Sequence, residues 1–166
     1  MKTLIRQRDE LYRMAAEQIC SLVREKPDAV VTMAAGRTML PLWALLCSAA
    51  ARGEVNFSGL RFFQTAEFLN APEEKTLRRM TEENLLRELE IPEENCFWLT
   101  EENVARCDEE IRICGGLDLA VLGLGNNAHI GYNEPGTQFS AGCRIQKLTD
   151  KTRQQLLAFS RRHLRA

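Results

Sequence analysis

Apolar residues recur at Leu4, Leu11, Ala15, Ile19 and Leu22-Val23, with charged residues between them. That spacing predicts an amphipathic helix over residues 3–25, ended by Lys26-Pro27-Asp28. The pattern then shifts to short apolar runs. Residues 29–34 read as a buried strand, which turns through Ala35-Gly36-Arg37-Thr38 into a second helix over 39–51 with Pro41 in its first turn. Residues 60–64 form a second strand. Residues 72–90 are charge-rich, with Leu77, Met80, Leu85, Leu86 and Leu89 inside, and predict one or two helices with a solvated charged face. Ile91-Pro92-Glu93-Glu94 breaks that segment, and 96–99 is a third strand. Thr100 as N-cap, followed by Val104, Cys107, Ile111 and Cys114 at helical spacing, predicts a helix that Gly115-Gly116 stops. Residues 117–122 then read as a strand buried on both faces of a parallel sheet. A short alternating strand at 143–148 and a last helix capped by Asp150, running into the basic tail 161–166, complete the chain.

Short strands alternating with helices predict an α/β chain. Its form is a Rossmann-like open, mostly parallel sheet with helices on both faces, one domain over residues 1–166. A chain of 166 residues buries roughly 70% of its unfolded surface. The 45% hydrophobic and 27% charged residues are those of an ordinary globule, and a net charge of −1 gives no reason to expect a nucleic-acid or membrane partner. The longest apolar stretch, 39–51, is broken by Pro41 and is too short to span a bilayer. MKTLIRQRDE carries no signal-peptide core, so a cytoplasmic setting is expected. The six cysteines form no C-x-x-C pair and have no histidine at zinc spacing. They read as reduced thiols, with no structural metal or disulfide.

The candidate chemistry lies just after the 117–122 strand. Ligands in open α/β sheets bind beyond the carboxyl ends of the strands. There the run ends in Gly123-Leu124-Gly125 and continues through Asn126, Asn127, His129, Tyr132, Asn133 and Glu134 to Pro135-Gly136. His129 and Glu134 read as an acid/base pair on a glycine-bounded loop. The bland alternative is a merely hydrogen-bonded loop histidine. Gly123, Gly125 and Ala128 also fit the dinucleotide fingerprint, but Asn133-Glu134-Pro135-Gly136 signals a turn where that fingerprint needs a helix.

The stretch from Gly123 through His129-Ile130-Gly131-Tyr132-Asn133-Glu134-Pro135-Gly136 resembles the signature of the amino-sugar 6-phosphate deaminase/isomerases, the glucosamine- and galactosamine-6-phosphate enzymes. The resemblance extends from about residue 26 to about residue 155. The related 6-phosphogluconolactonases share the glycine turn and the histidine but lack the Asn-Glu-Pro-Gly sequel. Asn127 stands where the glucosamine enzymes carry Asp and is similar to the galactosamine-type enzymes, so that branch is favoured.

The resemblance implies aldose–ketose isomerisation of a hexosamine 6-phosphate with release of ammonia. It implies proton shuttling without metal or organic cofactor, and a small sugar phosphate as the partner. His129 would open the sugar ring, Glu134 would orient and tune that imidazole, and Asn127 would bond the histidine or a sugar hydroxyl. The family's phosphate loop matches at Gly36 and Thr38. Ala34 and Ala35 replace residues that commonly include a Pro and a small hydroxyl, and Arg37 stands at a usual Gly. Arg37 could assist phosphate or block close approach of the backbone. Arg144 matches a family arginine. The general-base position falls on Ala66, which cannot accept a proton, beside Glu67. A later phosphate-binding arginine falls near Ala158, and the family chain continues past the point where this one stops. The site therefore reads as degenerate and the chain as truncated. An open sheet edge would invite a second chain, and so a homo-oligomer. A catalytically impaired sugar-phosphate binder is the first alternative, and a gluconolactonase-like hydrolase the next. One pocket at the carboxyl rim, shared by His129 and Glu134 and facing the 36–38 bend, is the expectation on which the sugar-phosphate reading turns.

Overall fold

The computed structural model describes residues 3–69 and 71–161 of the chain. Helix α1 (Arg8–Glu25) leads into strand β1 (Val30–Met33), helix α2 (Leu40–Ala51) and strand β2 (Arg61–Gln64). Helix α3 (Leu77–Thr81) runs directly into a π turn at Glu82–Leu86 ahead of strand β3 (Cys96–Phe97). Helix α4 (Cys107–Ile113) precedes strand β4 (Leu119–Val121), and helix α5 (Asp150–Arg161) follows a long coil. All three ladders are parallel, in the order β3-β2-β1-β4, with Val31 opposite both Phe62 and Leu119. Parallel neighbours require crossover connections. Every strand therefore delivers its carboxyl end to the same rim.

Side-chain alternation along β1 and β2 splits the core into two layers. Val31, Met33 and Phe62 face a thick layer built from α1, α2 and the π turn, where Ile19, Trp43, Leu46 and Leu85 are fully buried. Val30 and Phe63 point the other way, into a thinner layer with Cys107 of α4. There Phe97 stacks on Phe63 at a centroid distance of 5.2 Å. Helices thus cover both faces of an open parallel sheet, as the alternation of elements predicts. No helix of the described residues is long and apolar enough to cross a membrane.

Several elements differ from the sequence-based expectation. Helix α1 begins at Arg8 rather than at residue 3, and Ile5 is 84% exposed, because the first residues have no core beneath them. The 72–90 segment is helical, and its charges pair along the exposed side, Arg78 with Glu82 at 2.6 Å and Arg79 with Glu83 at 2.8 Å. Thr100 does not cap α4. It exchanges bonds with Asn103 in a turn of its own, and a 3-10 turn at Val104–Arg106 intervenes. Residues 143–148 form no strand. The Cys143 N–H goes to the Asp108 carboxylate instead of a sheet ladder. Thr149, not Asp150, caps α5, its hydroxyl accepting from the Thr152 N–H. Strand β4 is not buried on both faces. It lies at the sheet edge with Ala120 exposed and Leu122 45% exposed. An apolar run specifies a strand, not how many neighbours will cover it. The tail 162–166, and with it the expected basic chain end, lies outside the described residues.

Asp118 ties the start of β4 to β1 beyond the ladder itself. Its N–H donates to Val30 O, its carboxylate accepts from the buried Val30 N–H at 2.8 Å, and Lys26 Nζ sits 2.8 Å from the same group. The Lys26 ammonium and then the Val30 amide hold the Asp118 carboxyl below the usual carboxylate range. Asp118→Ala leaves the Val30 N–H without its carboxylate acceptor, and urea unfolding is expected to report a loss of about 1–3 kcal/mol.

Candidate active site at the carboxyl rim

The polypeptide leaves β4 in a tight loop rather than a helix, which removes the dinucleotide-binding option. Gly125 N–H donates to His129 O at 2.9 Å and Ala128 N–H to Gly125 O at 2.9 Å, closing a turn with Ala128 at φ 67°. A Cβ on Gly125 would overlap the His129 imidazole. The second glycine of the motif is there so that the ring can lie against the backbone. The imidazole stacks on Tyr132 at 5.1 Å, and Tyr132 meets Phe68 edge-on at 5.2 Å. Burial raises the Tyr132 phenol above its ordinary value.

His129 and Glu134 are joined through a third side chain. Asn127 Nδ2 donates to Glu134 Oε2 at 2.6 Å, and Asn127 Oδ1 lies 2.7 Å from His129 Nδ1. A carboxylate only accepts, so the Asn127 amide must present its NH₂ to Glu134 and its carbonyl to the ring. The carbonyl in turn requires a proton on Nδ1. In the neutral ring Nε2 is left as the acceptor, the nitrogen available for proton transfer. Glu134 thus sets the imidazole at one remove, through Asn127.

Glu134 is 5% exposed. Burial alone would raise its pKa. The Thr152 hydroxyl, the Thr149 amide, the Asn127 amide and the Thr149 hydroxyl together outweigh that and hold it below the usual value. Thr149 and Thr152 come from the first turn of α5, so a helix distant in sequence seats the loop's carboxylate. Sequence reasoning did not include them, although Thr149 three residues ahead of Thr152 at a helix start is a legible capping signal.

Beside this triad a cleft of about 580 Å³ opens over the thin layer. It is lined by Thr32, Ala66, Glu67, Tyr132 and Arg144 among others, while His129, Asn127, Glu134 and the 36–38 turn do not line it. The single shared pocket expected from the sequence is therefore divided. Tyr132 carries the imidazole on its ring and itself faces the cleft. Glu134 lines a separate shallow depression that it shares with Arg144. Arg144 connects the two. Its guanidinium donates to Asn133 Oδ1 at 3.0 Å, to Thr137 Oγ1 at 3.2 Å, and to the Gly142 carbonyl and the Gln146 side chain. All four acceptors are neutral, so its charge is not cancelled by a carboxylate among the described residues.

The loop after β2 supplies the other wall. Thr65 Oγ1 meets Thr32 Oγ1 at 2.7 Å, joining the ends of β2 and β1. Ala66 reaches the cleft with only a methyl. Glu67 lines it too, but its carboxylate accepts from the N–H groups of Phe68, Leu77 and Arg78 and from Gln64 Nε2, all within 3.0 Å. It anchors the start of α3, which leaves it no lone pair directed at a substrate. The Gly36-Arg37-Thr38 turn follows β1, whose end is tied to that of β4 by Ala34 N–H to Val121 O at 2.8 Å. Its carbonyls serve the fold. Gly36 O accepts from Met39 and Thr38 O from Tyr12 Oη, while the Arg37 and Thr38 side chains are exposed. Ala158 falls in α5, and its side chain is outside the described residues. No group of three His, Cys, Asp or Glu that could hold a metal ion occurs among the described residues.

Comparison with known proteins places this geometry. A family model described as glucosamine-6-phosphate isomerases/6-phosphogluconolactonase matches residues 6–132. A glucosamine-6-phosphate deaminase of Clostridium tetani is 34% identical over 161 residues, covering 92% of this chain and 67% of the relative. One from Hahella chejuensis is 33% identical over 153 residues, covering 87% and 58%. The chain thus spans roughly three-fifths of the length of such relatives. A solved monomeric glucosamine-6-phosphate deaminase superposes with a TM-score of 0.88 at 24% identity, covering 96% of this chain and 70% of that one. A Thermotoga maritima 6-phosphogluconolactonase superposes at 0.60 and 25% identity, covering 74% and 58%.

Two outcomes follow from the loop. Gly125→Ala should force the imidazole off Tyr132 at a cost of about 1–3 kcal/mol, read by thermal unfolding and by the His129 ring resonances. Glu134 has a folded-state pKa below its ordinary 4.5. Its contribution to stability is therefore complete above the unfolded value and is lost as pH falls through the depressed folded value. The fall in Tm on acidification below about pH 4.5 should be shallower in Glu134→Gln than in the parent.

Proposed function

The chain belongs to the family of glucosamine-6-phosphate isomerases and 6-phosphogluconolactonases, and from that membership we propose that its rim site handles a hexosamine 6-phosphate, with aldose–ketose isomerisation and ammonia release as the reaction. One observation carries the reading: the hydrogen-bonded chain Glu134–Asn127–His129, which leaves Nε2 as the proton-transfer atom. His129 exchanges a proton with the ring oxygen to open the sugar. Glu134 and Asn127 hold the tautomer that this requires. Arg144, uncancelled by any described carboxylate, and the exposed Gly36-Arg37-Thr38 turn bind the phosphate. The substrate belongs to the cytoplasmic sugar-phosphate pool. The resemblance at Asn127 favours the galactosamine-type branch of the family.

The Glu134–Asn127–His129 relay supports the ring-opening half of this chemistry, and the second half has no counterpart among the described groups. Moving a proton at the sugar's second carbon needs a base where Ala66 stands, and Glu67 is occupied by the start of α3. Loss of a positioned base costs about 10²–10⁴ in rate. That same observation supports the second reading, a protein that recognises the sugar phosphate and turns it over slowly or not at all.

The test is ammonia release from galactosamine- and glucosamine-6-phosphate, with thermal shift as the binding readout. The parent should bind and turn over slowly, Ala66→Asp should gain about two decades or more, and His129→Gln should abolish both rates. Binding without ammonia in the parent and in Ala66→Asp selects the second reading. No thermal shift with either sugar phosphate removes both.

A further inference from the structure

Two thiols that sugar-phosphate chemistry leaves unused meet in the wall of the cleft. Cys107 opens α4 and is 4% exposed. Cys143 lies half-buried in the coil that crosses the thin layer, and both line the cleft. They share one apolar cluster with Val30 and Phe63. The coil is pinned where they meet. The Cys143 N–H donates to Asp108 Oδ2 at 2.9 Å, and a Cβ on Gly142 would overlap that same oxygen, so a side chain there would push the coil away.

The two side chains pack in that one cluster. Their mutual interaction holds the Cys143 thiol below its ordinary pKa and, together with burial, pushes the Cys107 thiol up. Burial raises Cys20, Cys47 and Cys96. Cys143 is thus a half-buried thiol lining an open cleft, with Cys107 packed in the same apolar cluster. A disulfide needs the sulfurs drawn to about 2.05 Å, and Cys143 lies in a coil outside the sheet ladders.

We infer that Cys107 and Cys143 form a reversible redox-modification site, closed into an intramolecular disulfide by a low-molecular-weight disulfide that enters the cleft. The Cys143 thiolate attacks one sulfur of the small disulfide. The S–S bond breaks, one small thiolate leaves with the electron pair, and Cys143 carries a mixed disulfide. Cys107 then loses its proton and attacks the Cys143 sulfur, expelling the second small thiolate. The protons of the two cysteines end on the two released thiols. Two protein thiols are oxidised, and one small disulfide is reduced to two thiols. The closed bridge ties α4 to the residue before Arg144, whose guanidinium bonds Asn133 and Thr137 of the signature loop.

The experiment incubates the full chain with oxidised glutathione and maps peptides by mass spectrometry without reduction. The expected product is a Cys107–Cys143 cross-linked peptide, lighter by two hydrogens and restored by dithiothreitol. Cys107→Ser should stop at a glutathione adduct on Cys143, and Cys143→Ser should give neither product. Parent protein that keeps a lasting adduct on Cys143 without the cross-link overturns the proposal. So does modification of Cys20, Cys47, Cys96 or Cys114 in preference to this pair. The cross-link in the parent is the primary readout, so the result stands whether or not either variant folds, and it is independent of any sugar-phosphate activity.

Discussion

The rim of this protein is organised by one buried carboxylate that has to find donors. Glu134 sits in the protein interior at the end of a loop and cannot be left there unpaired. Its donors come from two directions: Thr149 and Thr152 at the start of α5, and Asn127 six residues beyond the end of β4. The helix terminus is a favourable place for an anion, and the amide is the group that passes the constraint on. Because the carboxylate accepts and cannot donate, the orientation of Asn127 is decided. Because Asn127 then offers a carbonyl, the proton of His129 is placed on Nδ1. A single ionised group thereby determines the chemistry available at a ring nitrogen that it does not touch.

The sheet supplies the stage for that relay. Parallel ladders place the ends of β1, β2 and β4 side by side, and contacts between those ends keep the loops in register. Thr32 bonds Thr65, Ala34 bonds Val121, and Phe68 meets Tyr132. Asp118 and Lys26 perform the equivalent task at the opposite end of β4. The imidazole position is thus inherited from strand pairing, and the cleft beside it is the space left over the thinner of the two core layers.

At the same rim, the loop of Ala66 and Glu67 serves the fold. The carboxylate next to Ala66 is not idle. It satisfies amide groups at the start of α3 that would otherwise be orphaned. Freeing it for proton transfer would remove the anchor of that helix. Arg144 is the converse case. Its contacts are all to neutral oxygens, so it holds the signature loop in shape and still presents a full positive charge between the cleft and the neighbouring depression.

The four strands, the parallel architecture and the polar loop after β4 were legible in the sequence because each rests on local signals. These are short apolar runs, glycine punctuation, and polar residues crowded after one strand. His129 and Glu134 could be singled out from their place after one strand, and Asn127, Arg144 and Ala66 from the family resemblance. The partners of those residues could not. That Asn127 stands between the histidine and the carboxylate, that α5 seats Glu134, and that Glu67 belongs to α3 depends on contacts between segments far apart along the chain, which no local pattern encodes. The same holds for β4, whose composition announced a strand while only the assembled sheet made it an edge, and for the meeting of Cys107 with Cys143 across the thin layer. Local sequence specified the elements and the inventory of reactive groups. Tertiary packing decided which of those groups are joined, and so what each is free to do.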